Sequence, residues 1–139
     1  MVAIVLTAFA WLTACGQDRP LSGAEKAAVL AYSEEIMDNL FAGLTANDYA
    51  TFSRDFDSDM LRKIPAAGFA TWKQDLDSKF GSYLSRQVDQ VSQSDEFYVV
   101  VYQAKFELEE PVIVGVAFHA VEPHAISHMW FDSVTPQQK

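Results

Sequence analysis

The sequence holds one cysteine, Cys15, in 139 residues. No intramolecular disulfide can form, and a zinc site built from several thiolates is excluded. Basic residues are also few: ten Lys and Arg stand against nineteen Asp and Glu, for a formal charge of −9. Phosphate backbones repel such a surface. No Lys/Arg cluster interleaved with aromatics appears, so nucleic acid is excluded as a partner. A membrane-spanning run is missing too. The charge-free stretch Val2 to Ala14 would reach only about 20 Å as a helix, against roughly 30 Å of hydrocarbon. There is no nucleophile elbow, phosphate-binding loop or spaced set of calcium-binding oxygens.

What is present begins with a leader. Residues 1–14 are uncharged and rich in Val, Ile, Leu, Phe and Trp, the pattern of a signal-peptide hydrophobic region. Leu12-Thr13-Ala14-Cys15 resembles the lipobox of bacterial lipoproteins. The resemblance implies cleavage between Ala14 and Cys15 and a diacylglyceryl group on the Cys15 thiol. Two or three acyl chains of the palmitate class, at about 0.8 kcal/mol per buried CH₂, would anchor the chain durably. The expected address is therefore extracytoplasmic, lipid-anchored to the cell membrane or an outer membrane. Residues 15–22 read as the lipidated cysteine and a short polar tether, 23–134 as one domain and 135–139 as a polar tail. Half of all residues are hydrophobic, enough for one core.

Within the domain, helices precede strands. Ser22 with Glu25 forms a capping-box pattern, and Val29, Tyr32, Ile36, Leu40 and Leu44 follow at helical spacing, predicting a helix from about Gly23 to Leu44. Asn47 or Asp48 can cap a short helix carrying Tyr49, Phe52 and Phe56, and Ser58 can start another turn with Met60, Leu61 and Ile64. After Pro65, the residues Phe69, Trp72, Leu76 and Phe80 mark one more helical face, which Gly81 ends. From Leu84 the period becomes two, with strand-forming runs at Phe97–Tyr102 and Val112–Phe118. Turn signals at Ser92–Asp95, Glu109-Glu110 and Glu122–Ala125 divide this region into a meander of four antiparallel strands. The expected class is α+β, helices packed on one face of a curved four-stranded sheet.

The run Ala42-Gly43-Leu44-Thr45-Ala46-Asn47-Asp48-Tyr49-Ala50-Thr51-Phe52-Ser53, then Phe69-Ala70-Thr71-Trp72-Lys73-Gln74, Lys79-Phe80-Gly81 and Ile126-Ser127-His128-Met129-Trp130-Phe131, resembles an uncharacterised lipoprotein domain family. That family in turn resembles the nuclear transport factor 2-like, or cystatin-like, cone fold. The resemblance implies a cone-shaped pocket between helices and concave sheet. Its superfamily includes isomerases, dehydratases and binding modules, and no catalytic motif transfers to this chain.

Register arithmetic proposes the pocket. A final hairpin turning about Pro123-His124 sets His119 opposite His128, and a preceding turn at Glu109-Glu110 sets Tyr102 opposite Ala117. One face then gathers Tyr98, Val100, Tyr102, Phe106, His119, His128, Trp130 and Asp132. The other gathers Phe97, Val99, Val101, Val114, Val116, Phe118, Met129 and Phe131, and such an apolar face asks for a cover: a second copy or a protein partner. His119, His128 and Asp132 could serve as acid/base groups, whereas His124 at the turn tip should point to water. Two histidines without an assured third ligand make a poor metal site, and no cofactor is implied. The resulting expectation is a binding module for a small apolar ligand or a protein partner, with no catalytic residue assigned. The alternatives are a small isomerase- or lyase-like enzyme using His119, Tyr102 or Asp132, and a structural spacer in the cell envelope.

Overall fold

The computed structural model describes residues 18–134, so Ala14, Cys15 and the tail 135–139 lie outside the described residues. Helix α1 (Gly23–Ala46) buries Val29, Ile36, Met37, Leu40, Phe41 and Leu44, which recur every three or four residues and so share a face. Its start differs from the capping box expected. Ser22 occupies the N-cap position without a side-chain bond, and the Glu25 carboxylate pairs with Arg19 at 2.8 Å. Asn47, in the left-handed conformation at φ 56°, ends the helix.

Asp48 then caps α2 (Tyr49–Phe52) by accepting the Thr51 N–H. Asp57 caps α3 (Ser58–Lys63) by accepting the Met60 N–H at 2.9 Å. Helix α4 (Ala66–Phe80) starts after Pro65, buries Phe69, Leu76 and Phe80, and stops at Gly81. At Gly43 the α1 and α2 backbones meet: a Cβ there would lie 2.3 Å from the Phe52 nitrogen. Only glycine permits that approach.

The sheet has five antiparallel strands in the order β1-β2-β3-β4-β5. They are β1 (Arg19–Pro20), β2 (Tyr83–Ser94), β3 (Phe97–Phe106), β4 (Val112–His119) and β5 (Ile126–Ser133). The strand beyond the expected four is β1. Arg19 lies opposite Gln93, and the Leu21 N–H reaches the Val91 carbonyl at 2.8 Å with Leu21 buried. The segment read as tether is thus joined to the domain as far back as Arg19. Two residues of backbone pairing need no side-chain periodicity, so no pattern betrayed them.

The β3–β4 register also differs from the one expected. Tyr102 pairs with Val114 and Val100 with Val116, not with Ala117 and His119. The chain turns through the longer loop Glu107–Pro111, closed by the Phe106 N–H on the Glu109 carbonyl at 3.0 Å. The displacement is odd, so it exchanges the faces of β4 relative to β3. In the last hairpin His128 faces Ala117 rather than His119, an even displacement with a bulge beside Phe118 that keeps the faces in phase. The helices therefore cover Val100, Tyr102, Phe106, Val114, Val116 and Phe118, all buried, with Met129 and Phe131 packed against them. At about 1.5–3 kcal/mol per large apolar side chain, this layer is the main source of stability.

Candidate functional site

The expected pocket residues part company. Tyr102 and Phe106 are buried in the core beneath the helices, and Tyr98 is half-buried on the same sheet face. His119, His128, Trp130 and Asp132 fall on the opposite face, Asp132 across from Ile113 and Trp130 across from Gly115. Trp130 is held close there: a Cβ on Gly115 would sit 1.9 Å from its ring. The exposed His128 accepts a hydrogen bond at Nδ1 from Lys63 at 3.1 Å. Tyr102, His119 and Asp132 do not converge.

His119 joins a different cluster. Its Nε2–H donates to Asp57 Oδ2 at 2.8 Å, while Asp57 also caps α3 and takes a bond from Ser127. Burial opposes ionisation of Asp57, yet the Met60 N–H, His119 and Ser127 together hold its carboxyl below the ordinary value. Backbone bonds from Asp57 N–H to the Ile126 carbonyl and from Ile126 N–H to the Asp55 carbonyl, at 2.9 and 2.7 Å, complete this seam between helix and strand. Its evident work is to fasten α3 to β5. Among the described residues no group of three or more His, Cys, Asp or Glu could hold a metal ion.

Between α1 and β2, the sheet carries a buried cation. Arg86 on β2, with a side chain 9% exposed, donates to Asp38 at 2.8 Å. It also donates to the Glu34 carbonyl and the Tyr83 hydroxyl, both at 3.2 Å. Its guanidinium lies 5.5 Å from the Tyr102 ring centroid and 5.8 Å from that of Phe41. Burial disfavours the charge, but Asp38, Tyr83 and Glu34 outweigh it and hold the proton more tightly than usual. Tyr102 is driven well above the phenol range by burial first and Glu34 second. It remains a neutral hydroxyl at any physiological pH. Ser33 Oγ, Glu34 Oε1, Arg86 Nε and the Tyr102 hydroxyl are buried beyond hydrogen-bonding geometry with protein groups. This network fixes α1 on β2 and offers no group poised for proton transfer.

Several grooves open at the surface of the described residues, and two of them bear on binding. One, of about 280 Å³, runs between α4 and β5, lined by Trp72, Leu76, Phe80, Met129, Trp130 and Phe131 with Asp75 and Lys79 among them. Trp72 and Phe131 meet edge to face at 5.9 Å. The other, of about 410 Å³, lies between the start of α1 and the β4–β5 loop, and includes Tyr32, Tyr98, Glu122 and His124. His124 does not point to water as expected: it is half-buried and stacks on Tyr32, ring centroids 3.7 Å apart.

The sequence reading named Tyr98 and Trp130 but missed Trp72, Tyr32, His124, Arg86 and Asp57 as participants. Asp57 was discoverable, since an aspartate directly before Ser58 is a cap signal. Arg86 was also in reach, being in phase with the inward Val88 of β2. No helix among the described residues is long and apolar enough to cross a membrane. Compared with protein-family models, curated proteins and solved structures, the chain gives no match.

Proposed function

We propose that this chain is a lipid-anchored extracytoplasmic binding module whose working site is the aromatic groove between α4 and β5. The carrying observation is that groove: Trp72, Trp130 and Phe131 line a concavity of about 280 Å³ beside a sheet interior filled by core side chains. Concave apolar sites with few polar groups favour small apolar ligands. The helices-on-sheet arrangement fits a cone of the nuclear transport factor 2-like type with a plugged interior, which moves binding to its flank. The isomerase- or lyase-like alternative has no supporting observation, because Tyr102 lies inside the core while His119 and Asp132 sit across the sheet from it.

The anchor reading rests on Leu12-Thr13-Ala14-Cys15. Intact mass of the membrane-purified protein tests it: a chain starting at Cys15 with diacylglyceryl and acyl additions is expected, and a soluble, unmodified chain starting at Met1 overturns it. The groove is tested by fluorescence. Once the leader carrying Trp11 is removed, only Trp72 and Trp130 remain, and both line the groove. Titration with 1-octanol should shift their emission saturably, and Trp72→Ala should abolish the saturable part. A purely linear response in the unmodified protein rejects the site.

A second reading, self-association through the outer sheet face, is favoured by the partly exposed Val99, Val101, Ile113 and Trp130 on adjacent strands. Sedimentation equilibrium tests it, a concentration-independent monomer being the contrary result.

A further inference from the structure

The groove at the start of α1 has a chemistry unlike that of the aromatic groove. Glu25 and Glu122 are its charged residues, and Tyr32, Tyr98 and His124 supply its rings. Glu25 is already paired with Arg19, whereas Glu122 has no basic partner among the described residues. His124 is committed to one tautomer. Its Nδ1 lies 3.0 Å from the His119 carbonyl oxygen, which can only accept, so Nδ1 carries the proton. In the neutral ring Nε2 is then an acceptor.

His124 also adopts φ 60°, a left-handed conformation that costs energy in a residue with a Cβ. Three contacts hold it there: its N–H on the Val121 carbonyl at 2.9 Å, its Nδ1–H on His119, and its stack on Tyr32. The Tyr32 hydroxyl, in the same wall, is buried with no hydrogen-bond partner. Burial, with Tyr98 adding to it, pushes that phenol up to about 12, so it stays a neutral hydroxyl. Taken together, the wall offers the Glu122 carboxylate and the His124 imidazole nitrogen beside ring surface, and the nearby Arg19 is already paired with Glu25.

We propose that this groove binds a substituted ammonium ion, its charge met by Glu122 and its hydrocarbon part lodged against Tyr98, His124 and Val29. Ammonium groups are attracted both to carboxylates and to aromatic faces, and about 410 Å³ exceeds what a bare inorganic cation would need. The ion can be a free amine or the headgroup of an amine-bearing phospholipid. The lipid source rests on the anchor reading. Arg19 of β1 pairs at the Gln93 end of β2, the same end of the sheet as Phe97 and its partner His119, so an anchor at Cys15 would keep this groove near the bilayer.

The test uses the purified acylated protein in detergent, with phenethylammonium as probe and 2-phenylethanol and 3-phenylpropionate as neutral and anionic counterparts. Saturable perturbation of the His124 ring resonances by the ammonium is expected, with at least tenfold weaker binding of the other two. Glu122→Gln, an exposed substitution, should weaken the ammonium at least fivefold, while Asp89→Asn on the distant part of β2 should leave it unchanged. Equal binding of the alcohol, or equal loss in both variants, overturns the proposal.

Vesicles of phosphatidylethanolamine and of phosphatidylglycerol then separate the sources. His124 perturbation by the former alone assigns a lipid headgroup, and its absence with both assigns a soluble amine. The emission of Trp72 and Trp130 should not respond to the ammonium, so failure here is separable from failure of the aromatic groove.

Discussion

The two faces of one sheet obey different rules in this protein. Beneath the helices, Val100, Tyr102, Val114, Val116 and Phe118 are each 0% exposed. On the outer face, Val99, Val101 and Ile113 keep part of their surface in water, and Trp130 covers the bare backbone of Gly115. The inner face is a solid in which every methyl has neighbours on all sides. The outer face is ordered by a few side-chain contacts, the fit of Trp130 over Gly115 and the bonds of His119 to Asp57 and of His128 to Lys63 among them. Stability should therefore be distributed very unequally between them.

The sharpest contrast lies within β4. Phe118→Ala should cost about 3–5 kcal/mol by urea denaturation, since it empties the inner layer. A loss under about 1 kcal/mol would mean that the inner face is less tightly packed than the structure has it. Next in size comes Gly115→Val, on the outer face but beneath Trp130, at about 1–3 kcal/mol. In a Trp130→Ala background most of that cost should vanish, and a double-mutant cycle measures the difference.

Asp57→Asn should cost about 1–2 kcal/mol by weakening the α3 cap and the His119 bond. Because the folded carboxyl is held below its ordinary value of 3.8, its contribution is full above that value and lost as pH falls through the lower folded one. The gap between wild type and variant should hold steady in denaturation curves taken above the ordinary carboxyl value and narrow in those taken below it. A gap constant with pH would remove the electrostatic part of the account. Smallest of all, Val101→Thr should change stability by no more than about 0.5–1 kcal/mol. If it alters the sedimentation coefficient instead, the outer face is an association surface.

Much of this was legible in the amino-acid order, and the exceptions have physical causes. The helices were readable because Val29, Ile36, Leu40 and Leu44, then Phe69, Leu76 and Phe80, repeat with the helical period. Asp48 was readable as a cap because its side chain acts three residues ahead. The pocket was not readable, since its face assignment depended on the length of a single loop, Glu107–Pro111, where an odd change of register moves every later side chain across the sheet. His124 and Tyr32 are neighbours only through tertiary packing, as are Arg86 and Asp38. No local period encodes such pairs.

The short strand β1 has one more effect. A sheet ends in unsatisfied amides that invite another chain to zip onto it, a hazard for molecules crowded side by side. Pro20 has no amide hydrogen to offer, and β1 stops after it. At the far edge, the crossing of Phe56 at Ile126 occupies the start of β5, and Lys63 stands beside His128. Each feature removes free amides where it sits, at the Ser92–Gln93 end of β2 and at the start of β5.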